Sequence, residues 1–165
     1  MNLIYYPNEF LDKQVAEVNL EDPGFDPKEL KEQMIDCMLT NNGIGLSANQ
    51  VGLDKQVFVM GDSLENSSIC INPTVIQYTS ETILDVEGCL SFPNIFVKVK
   101  RPKEILAKWY NENLEEQVVK IEGYSAKCYL HEWDHLHGIT FKDRVSKIKW
   151  DMATKKARKL EKAFA

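Results

Sequence analysis

The chain of 165 residues is 44% hydrophobic and 27% charged, which is typical of one soluble globular domain spanning residues 1–165. No apolar run reaches the ~20 residues that cross a bilayer, and the start MNLIYYPNEF lacks the basic and apolar regions of a signal peptide, so we expect a cytoplasmic protein without a membrane partner. The net charge of −5 argues against DNA as a partner, although residues 142–165 carry nine Lys or Arg against three acidic residues.

The N-terminal region predicts an irregular arm followed by one helix. Proline and glycine interrupt the first two dozen residues, where only one turn near residues 10–13 is expected. Asp26 is a good N-cap, Pro27 suits the first helical position, and Glu29 completes a capping box. The helix buries an apolar stripe and ends at residues 41–43, which read Asn-Asn-Gly. The stripe consists of Leu30, Met34, Ile35, Cys37 and Met38, so packing is the expected role of this cysteine.

The segment GIGLSANQVG, residues 43–52, contains three glycines that allow its backbone to approach another group closely. No GK[ST] ending supports a phosphate-binding loop, and on its own the segment favours an ordinary turn before a strand. Gln50 donates two hydrogen bonds while staying uncharged, which makes it a candidate to stabilise a developing oxyanion.

Short strands dominate residues 57–123. Alternating or β-branched runs separated by turn residues predict seven strands, with a hairpin tip at residues 111–113. Because strands and helices do not alternate, we expect an α+β fold in which antiparallel sheets pack around a central helix, with an N-terminal helix and a C-terminal helix. The predicted strands are residues 57–60, 69–71, 74–78, 82–86, 96–100, 104–110 and 116–123.

Cys89 lies between two of these strands, in the segment EGCLSFP. Without a secretion signal, the four cysteines are expected to be reduced, which leaves their thiolates available to a metal. Cys89 is therefore either a packing residue or a ligand, and its distance along the chain from the histidines does not decide between the two.

The sequence HEWDH, residues 131–135, has the HExxH pattern of metal-binding helices. On a helix, His131 and His135 lie one above the other on one face, where two imidazoles bind one ion. Glu132 is turned roughly 100° from His131, so it suits the role of a base toward metal-activated water better than the role of a ligand. The third histidine of the chain, His137, lies across the helix, and we expect it to be solvated or to cap the helix end.

The third ligand remains open between two cysteines. Cys128 lies three residues before His131 on the same predicted face, and from spacing alone it is at least as favourable as Cys89. Three ligands from successive turns of one helix are nearly collinear, however, whereas a tetrahedral site spreads its ligands. A ligand from another segment therefore serves better.

Residues 146–165 predict a basic C-terminal helix. Ala153, Ala157, Leu160 and Phe164 form its apolar stripe, and Lys and Arg residues occupy the opposite face. A solvated surface is the ordinary explanation of such a face.

The stretches GIGLSANQ, EGCLS and HEWDH, in this order, together resemble the three signature motifs of the peptide deformylases. The resemblance covers most of the chain, as far as residues 144–146. It implies an α+β hydrolase that removes the N-formyl group from the formyl-methionine of nascent polypeptides and releases formate. It also implies one divalent metal ion, Fe²⁺, for which Zn²⁺, Ni²⁺ or Co²⁺ substitutes.

The resemblance makes Cys89 the third metal ligand, with His131 and His135. Glu132 is then the residue that takes a proton from the attacking water and passes it to the departing amine. This assignment leaves Cys128 as a wall of the substrate pocket.

The resemblance also implies the groups that contact the substrate. The Gln50 side chain and the Leu90 backbone N–H would stabilise the oxyanion, and the Gly45 backbone would bond to the substrate chain. We expect an apolar slot for the unbranched methionine side chain. The implied substrate-binding residues are Gly43, Ile44, Gly45, Leu90, Cys128 and His131.

Three further residues are expected to support the site. Glu87 and Arg101 are predicted to pair and brace the loop of Cys89, with an ordinary surface ion pair as the alternative. Asp134 is predicted to be an outer partner of the metal site, with an exposed helix carboxylate as the alternative.

The chain departs from the family pattern at three positions. Ser47 replaces the usual alanine, Leu130 replaces the glutamine that usually precedes the first histidine, and Lys127 is more polar than the usual neighbour of the pocket cysteine. The change at Ser47 is small, and none of the three removes a catalytic group. Leu130 and Lys127 are expected to affect the shape and polarity of the pocket, and with them the substrate preference.

Two rival functions and one further partner follow from the same residues. A metallopeptidase of another class would share HEWDH, but EGCLS argues against it. An inactive binding module would require a lost ligand or base, and none is lost.

In family members with a C-terminal helix, that helix docks on the ribosome, and the basic helix of residues 146–165 is compatible with this partner.

Overall fold

The computed structural model describes residues 1–165 and has an α+β fold of three α-helices and seven β-strands. The helices are α1 (Pro27–Thr40), α2 (Gly123–Leu136) and α3 (Lys147–Ala163). The strands are β1 (Gly45–Ser47), β2 (Val57–Met60), β3 (Ser68–Tyr78), β4 (Thr82–Cys89), β5 (Phe92–Pro102), β6 (Glu104–Tyr110) and β7 (Glu116–Glu122). None of the three helices combines the length and the apolar character that a bilayer crossing requires.

The strands form two antiparallel sheets. One has five strands in the order β1-β2-β3-β6-β7, and the other is the hairpin β4-β5. Tyr129 and Ala126 of α2 pack on the five-stranded sheet against Phe58 and Ala107, whereas His131 faces β4. The predicted arrangement of antiparallel sheets around a central helix is therefore confirmed.

The start of α1 follows the sequence closely, because the Asp26 carboxylate accepts hydrogen bonds from the backbone N–H groups of Lys28 and Glu29. The predicted capping box is only half formed. The Glu29 carboxylate accepts a hydrogen bond from the Gln33 amide one turn later, at 3.0 Å, instead of returning to the Asp26 backbone. The helix ends at Thr40, as the Asn-Asn-Gly sequence predicts.

Strand β3 corrects the prediction of two separate strands at residues 69–71 and 74–78. A single strand runs from Ser68 to Tyr78, and its pairing with β6 shifts register between Ile71 and Thr74. Asn72 has a φ of 47° there, and its side-chain amide exchanges two hydrogen bonds with the Val18 backbone. The Asn72-Pro73 pair is thus an irregularity within one strand, not a break between two strands.

Helix α3 forms as predicted, but its buried face differs from the predicted stripe. Trp150 and Ala157 are buried, whereas Leu160 and Phe164 are exposed. The Trp150 ring packs edge-on against Phe92 of β5 and against Phe141, at centroid distances of 5.8 and 5.4 Å. The Trp150 indole therefore anchors the first turns of the helix, Ala157 is buried further along, and the residues after Ala157 are exposed.

Candidate metal centre and substrate pocket

Helix α2 and the end of β4 bring three potential metal ligands together. Gly123, with a φ of 62°, allows the chain to turn directly from β7 into α2, which carries His131 and His135 on one buried face. Cys89 ends β4, and its sulfur lies 3.3 Å from Nε2 of His135. The ligand atoms of the three residues lie within 4.8 Å of one another.

The donor set of Cys89, His131 and His135 fits a single divalent cation. Metal bonds of about 2.3 Å to sulfur and 2.0–2.1 Å to nitrogen place tetrahedral S and N ligands about 3.5 Å apart, close to the separation observed here. Three protein ligands also leave a fourth position free, as catalytic sites require. Cys128 lies outside this group, with its sulfur 3.5 Å from the backbone carbonyl of Ile44. The geometry therefore favours Cys89 over Cys128.

Glu87 orients the first of the two histidines. Nδ1 of His131 lies 2.9 Å from Oε2 of Glu87, and both side chains are buried. Burial raises the pKa of Glu87, but hydrogen bonds from His131 and Arg101 outweigh it and lower the pKa to about 2. Because Glu87 is thus ionised, the proton of His131 resides on Nδ1, and Nε2 is left as the ligand atom.

Arg101 links Glu87, the partner of His131, to Asp134. Its guanidinium donates two hydrogen bonds to Glu87, at 2.7 and 3.0 Å, and one to Asp134, at 2.6 Å. The predicted pair of Glu87 and Arg101 is buried, so the alternative of a surface ion pair is wrong. Asp134 is also buried, but its partners are Arg101 and Arg144, not a histidine. Sequence analysis missed the contact of Glu87 with His131, because a partner so distant in the chain leaves no local pattern.

Arg101→Met is expected to destabilise the fold by about 3–5 kcal/mol, because it leaves the buried Glu87 carboxylate without its guanidinium partner and Asp134 with Arg144 alone. Denaturant unfolding of the metal-loaded protein measures the change. Lys103→Met is the matched control, since Lys103 pairs with Glu81 on the surface and its loss should cost at most about 1 kcal/mol. Equal destabilisation by the two variants would contradict the structural role of Arg101.

Glu132 is buried beside the ligand cluster. Its Oε2 has no hydrogen-bond partner in the chain, and burial is the main reason why its pKa rises to about 7. Gly45 lies directly opposite, where an added Cβ would collide with Oε1 of Glu132 and with the sulfur of Cys128. A glycine is therefore required at this position, and Gly45 and Glu132 both line the cavity beside the cluster.

The amide of Gln50 is held from both ends. Its nitrogen donates to Oγ of Ser91 at 3.1 Å and lies 3.4 Å from the sulfur of Cys89. Its oxygen accepts from the backbone N–H of Ser47 at 3.0 Å, and the Ser47 hydroxyl lies 2.9 Å away. The departure from alanine at position 47 thus adds a buried contact that fixes the orientation of the amide.

A cavity of about 530 Å³ opens beside this cluster. All the residues that the sequence predicted as substrate-binding line it. Its wall is formed by α2, the segment before β1, parts of the hairpin β4-β5 and part of the N-terminal arm. Lys127 lies at its edge, where its ammonium donates to Asp85 at 2.7 Å and to the Val86 carbonyl at 3.0 Å. The predicted residues that line the cavity are Gly43, Ile44, Gly45, Leu90, Cys128 and His131.

Comparison with known proteins gives a consistent result. A family described as polypeptide deformylase matches residues 1–150. The chain is 37% identical to a peptide deformylase of Wolbachia pipientis wMel, over 98% of this chain and 96% of the relative. It is 41% identical to that of Thermotoga maritima over 78% of each chain. A peptide deformylase structure from Plasmodium falciparum matches with a TM-score of 0.86 and 31% identity, over 99% of this chain and 96% of the other.

Proposed function

The chain belongs to the polypeptide deformylase family and removes the N-formyl group from nascent peptides, and we propose that it does so with a cation held by Cys89, His131 and His135. The observation that carries this assignment is the convergence of one thiol and two imidazoles beside a buried carboxylate. We further propose that residues 1–165 form one catalytic domain that acts in the cytoplasm, where nascent chains are synthesised.

Fe²⁺ is the cation that we propose, with Zn²⁺, Ni²⁺ or Co²⁺ as substitutes. A thiolate and two imidazoles suit several first-row divalent metals, so metal availability decides which of them is bound. When bound, the cation supplies Lewis acidity, which makes water a nucleophile near neutral pH.

Glu132 is proposed to move the proton during hydrolysis. Its carboxylate takes a proton from the water that attacks the formyl carbon, and then donates it to the nitrogen of the departing methionine. The burial of Glu132 supports this role, because burial raises the pKa of the carboxyl group and so makes the carboxylate a stronger base. The products are formate and a free amino terminus.

The oxyanion of the tetrahedral intermediate is proposed to accept hydrogen bonds from the Gln50 amide and the Leu90 backbone N–H. The support for Gln50 is that Ser47 and Ser91 hold its amide in a fixed orientation, with the nitrogen beside Cys89 and at the cavity wall. The Gly45 backbone, on the edge strand β1, is proposed to bond to the extended substrate chain.

Formate release from formyl-Met-Ala-Ser, by protein purified anaerobically with Fe²⁺, tests the proposed activity. The expected result is release of formate with no cleavage of internal peptide bonds. Internal cleavage of unformylated peptides would instead indicate another class of metallopeptidase, and no turnover of either substrate would indicate an inactive relative.

The cavity predicts a preference for methionine as the first residue. Ile44, Leu90, Cys128 and the flank of His131 form an apolar slot that suits an unbranched thioether side chain. Replacing formyl-Met by formyl-Ala in the tripeptide removes three side-chain heavy atoms from this slot. We expect kcat/KM to fall roughly 10- to 200-fold or more, and equal values would contradict the slot.

We propose that α3 docks the enzyme on the ribosome. Lys155, Lys156 and Lys159 are exposed, and Ile148 and Met152 add exposed apolar surface. Reversing the charges of Lys155 and Lys156 should weaken sedimentation with ribosomes and reduce its salt dependence. The matched control reverses Lys13 and Lys28, which are exposed elsewhere, and binding that is absent or independent of salt would contradict the proposal.

A further inference from the structure

The outer face of the hairpin β4-β5 carries an exposed strip that begins at the substrate cavity. Strand alternation and register place Leu84 and Val86 of β4 on the same face as Phe96, Lys98 and Lys100 of β5. The three apolar side chains are 57%, 44% and 64% exposed for Leu84, Val86 and Phe96. On the opposite face, Val97 and Val99 are buried in the core.

This strip is continuous with the cavity. Val86 and Phe96 line the cavity and also begin the strip, and the Phe96 ring lies over Gly88, where an added Cβ would collide with it. Beyond them, Lys98 pairs with Val86 and Lys100 with Leu84 in the register of the hairpin. A peptide that leaves the cavity in extended form would therefore meet apolar and cationic side chains in turn.

The two lysines of the strip are exposed and carry unpaired charges. Neither Lys98 nor Lys100 belongs to an ion pair, whereas Lys127 at the cavity edge is neutralised by Asp85. The remainder of the chain before residue 142 is strongly acidic, so a positive strip beside the cavity is unusual for this surface. Its complement is a peptide with carboxylates and apolar side chains.

We propose that this strip binds the downstream part of the substrate and favours acidic residues there, an inference that rests on the proposed deformylase function. An extended chain advances ~3.3 Å per residue, so two substrate residues span the ~7 Å between successive positions on one face of a strand. With the first three residues in and near the cavity, residues four to seven of the nascent chain reach Lys98 and Lys100.

The experiment compares kcat/KM for formyl-Met-Ala-Ser extended by Asp-Leu-Asp-Leu, by Ser-Leu-Ser-Leu or by Lys-Leu-Lys-Leu. We expect the acidic peptide to exceed the basic one by roughly 2- to 30-fold, as two exposed ion pairs would give, with less difference at high salt. Lys98→Glu with Lys100→Glu should reverse this order. The matched control, Lys155→Glu with Lys156→Glu, changes the net charge equally on α3 and should retain it.

The unextended tripeptide separates this inference from the function on which it rests. It ends before the strip, so its turnover reports deformylation alone and should be the same in all three proteins. Equal kcat/KM for the three long peptides would overturn the inference while the activity stands. Unchanged peptide selectivity with reduced RNA binding in the Lys98 and Lys100 double variant would also overturn it, because the strip would then serve nucleic acid.

Discussion

Glu132→Gln is expected to lower kcat for formyl-Met-Ala-Ser by roughly 10²- to 10⁴-fold, the usual contribution of a general acid–base group. The amide keeps the shape of the carboxyl group but neither takes a proton from water nor returns one to the leaving amine. Since Glu132 contacts no other polar group through Oε2, the change breaks no hydrogen bond there. KM should change much less than kcat, because the slot for the methionine side chain is left intact.

The control for this variant is Glu122→Gln, which removes an exposed carboxylate just before the same helix, where its side chain makes no capping bond. It should retain full activity. Metal content by elemental analysis and thermal unfolding should be unchanged in both proteins. A kcat for Glu132→Gln within tenfold of the parent would contradict a proton-transfer role.

Cys89→Ala is expected to abolish formate release and to lower metal affinity. Losing a residue that only hydrogen-bonds to a metal ligand costs roughly 10- to 100-fold in affinity, and we expect the loss of the ligand itself to cost more. With one of three protein ligands removed, two imidazoles from successive turns of α2 hold the cation in an incomplete site. Elemental analysis after dialysis against a weak chelator measures the effect.

Cys128→Ala is the decisive comparison, because Cys128 is the rival thiol on α2 and lies only three residues before His131, whereas Cys89 is far from the histidines in sequence. It should keep the cation and change mainly KM, since it lines the cavity. If Cys128→Ala lost the cation and Cys89→Ala retained it, the assignment of ligands would be reversed and the mechanism above would not hold.

Local signals predicted the helices and most strands well. Asp26 and Pro27 determine the start of α1, and alternating runs identify β2, β6 and β7 closely. Only the middle of β5 was predicted, and β1 lies in a segment for which an ordinary turn was expected. Most errors occur where a long-range contact determines the local structure or the buried face. Asn72 looked like a break because its role depends on Val18 far earlier in the chain, and the predicted stripe of α3 missed Trp150, whose partners lie on β5 and at Phe141.

In the candidate site, too, local spacing predicted some residues, whereas the others depend on long-range contacts. The spacing of His131 and His135 predicts a shared face without any tertiary information, and Glu132 follows from the same helix geometry. The choice of Cys89 over Cys128 did not follow from spacing, since it depends on how β4 meets α2. The ion pairs from Glu87 through Arg101 to Asp134 join three segments, and only the folded chain brings them together.

The Trp150 ring shares its apolar surroundings with Phe141, and the Phe141 ring in turn lies 5.7 Å from the ring of His131. The helix proposed to dock on the ribosome is thus built into the wall behind the catalytic centre. Truncating the chain before residue 150 would expose Phe92 and Phe141 to water and loosen the packing behind His131, the proposed metal ligand. A lineage that no longer needed a docking surface could discard the outer turns of α3, but it would have to retain the first.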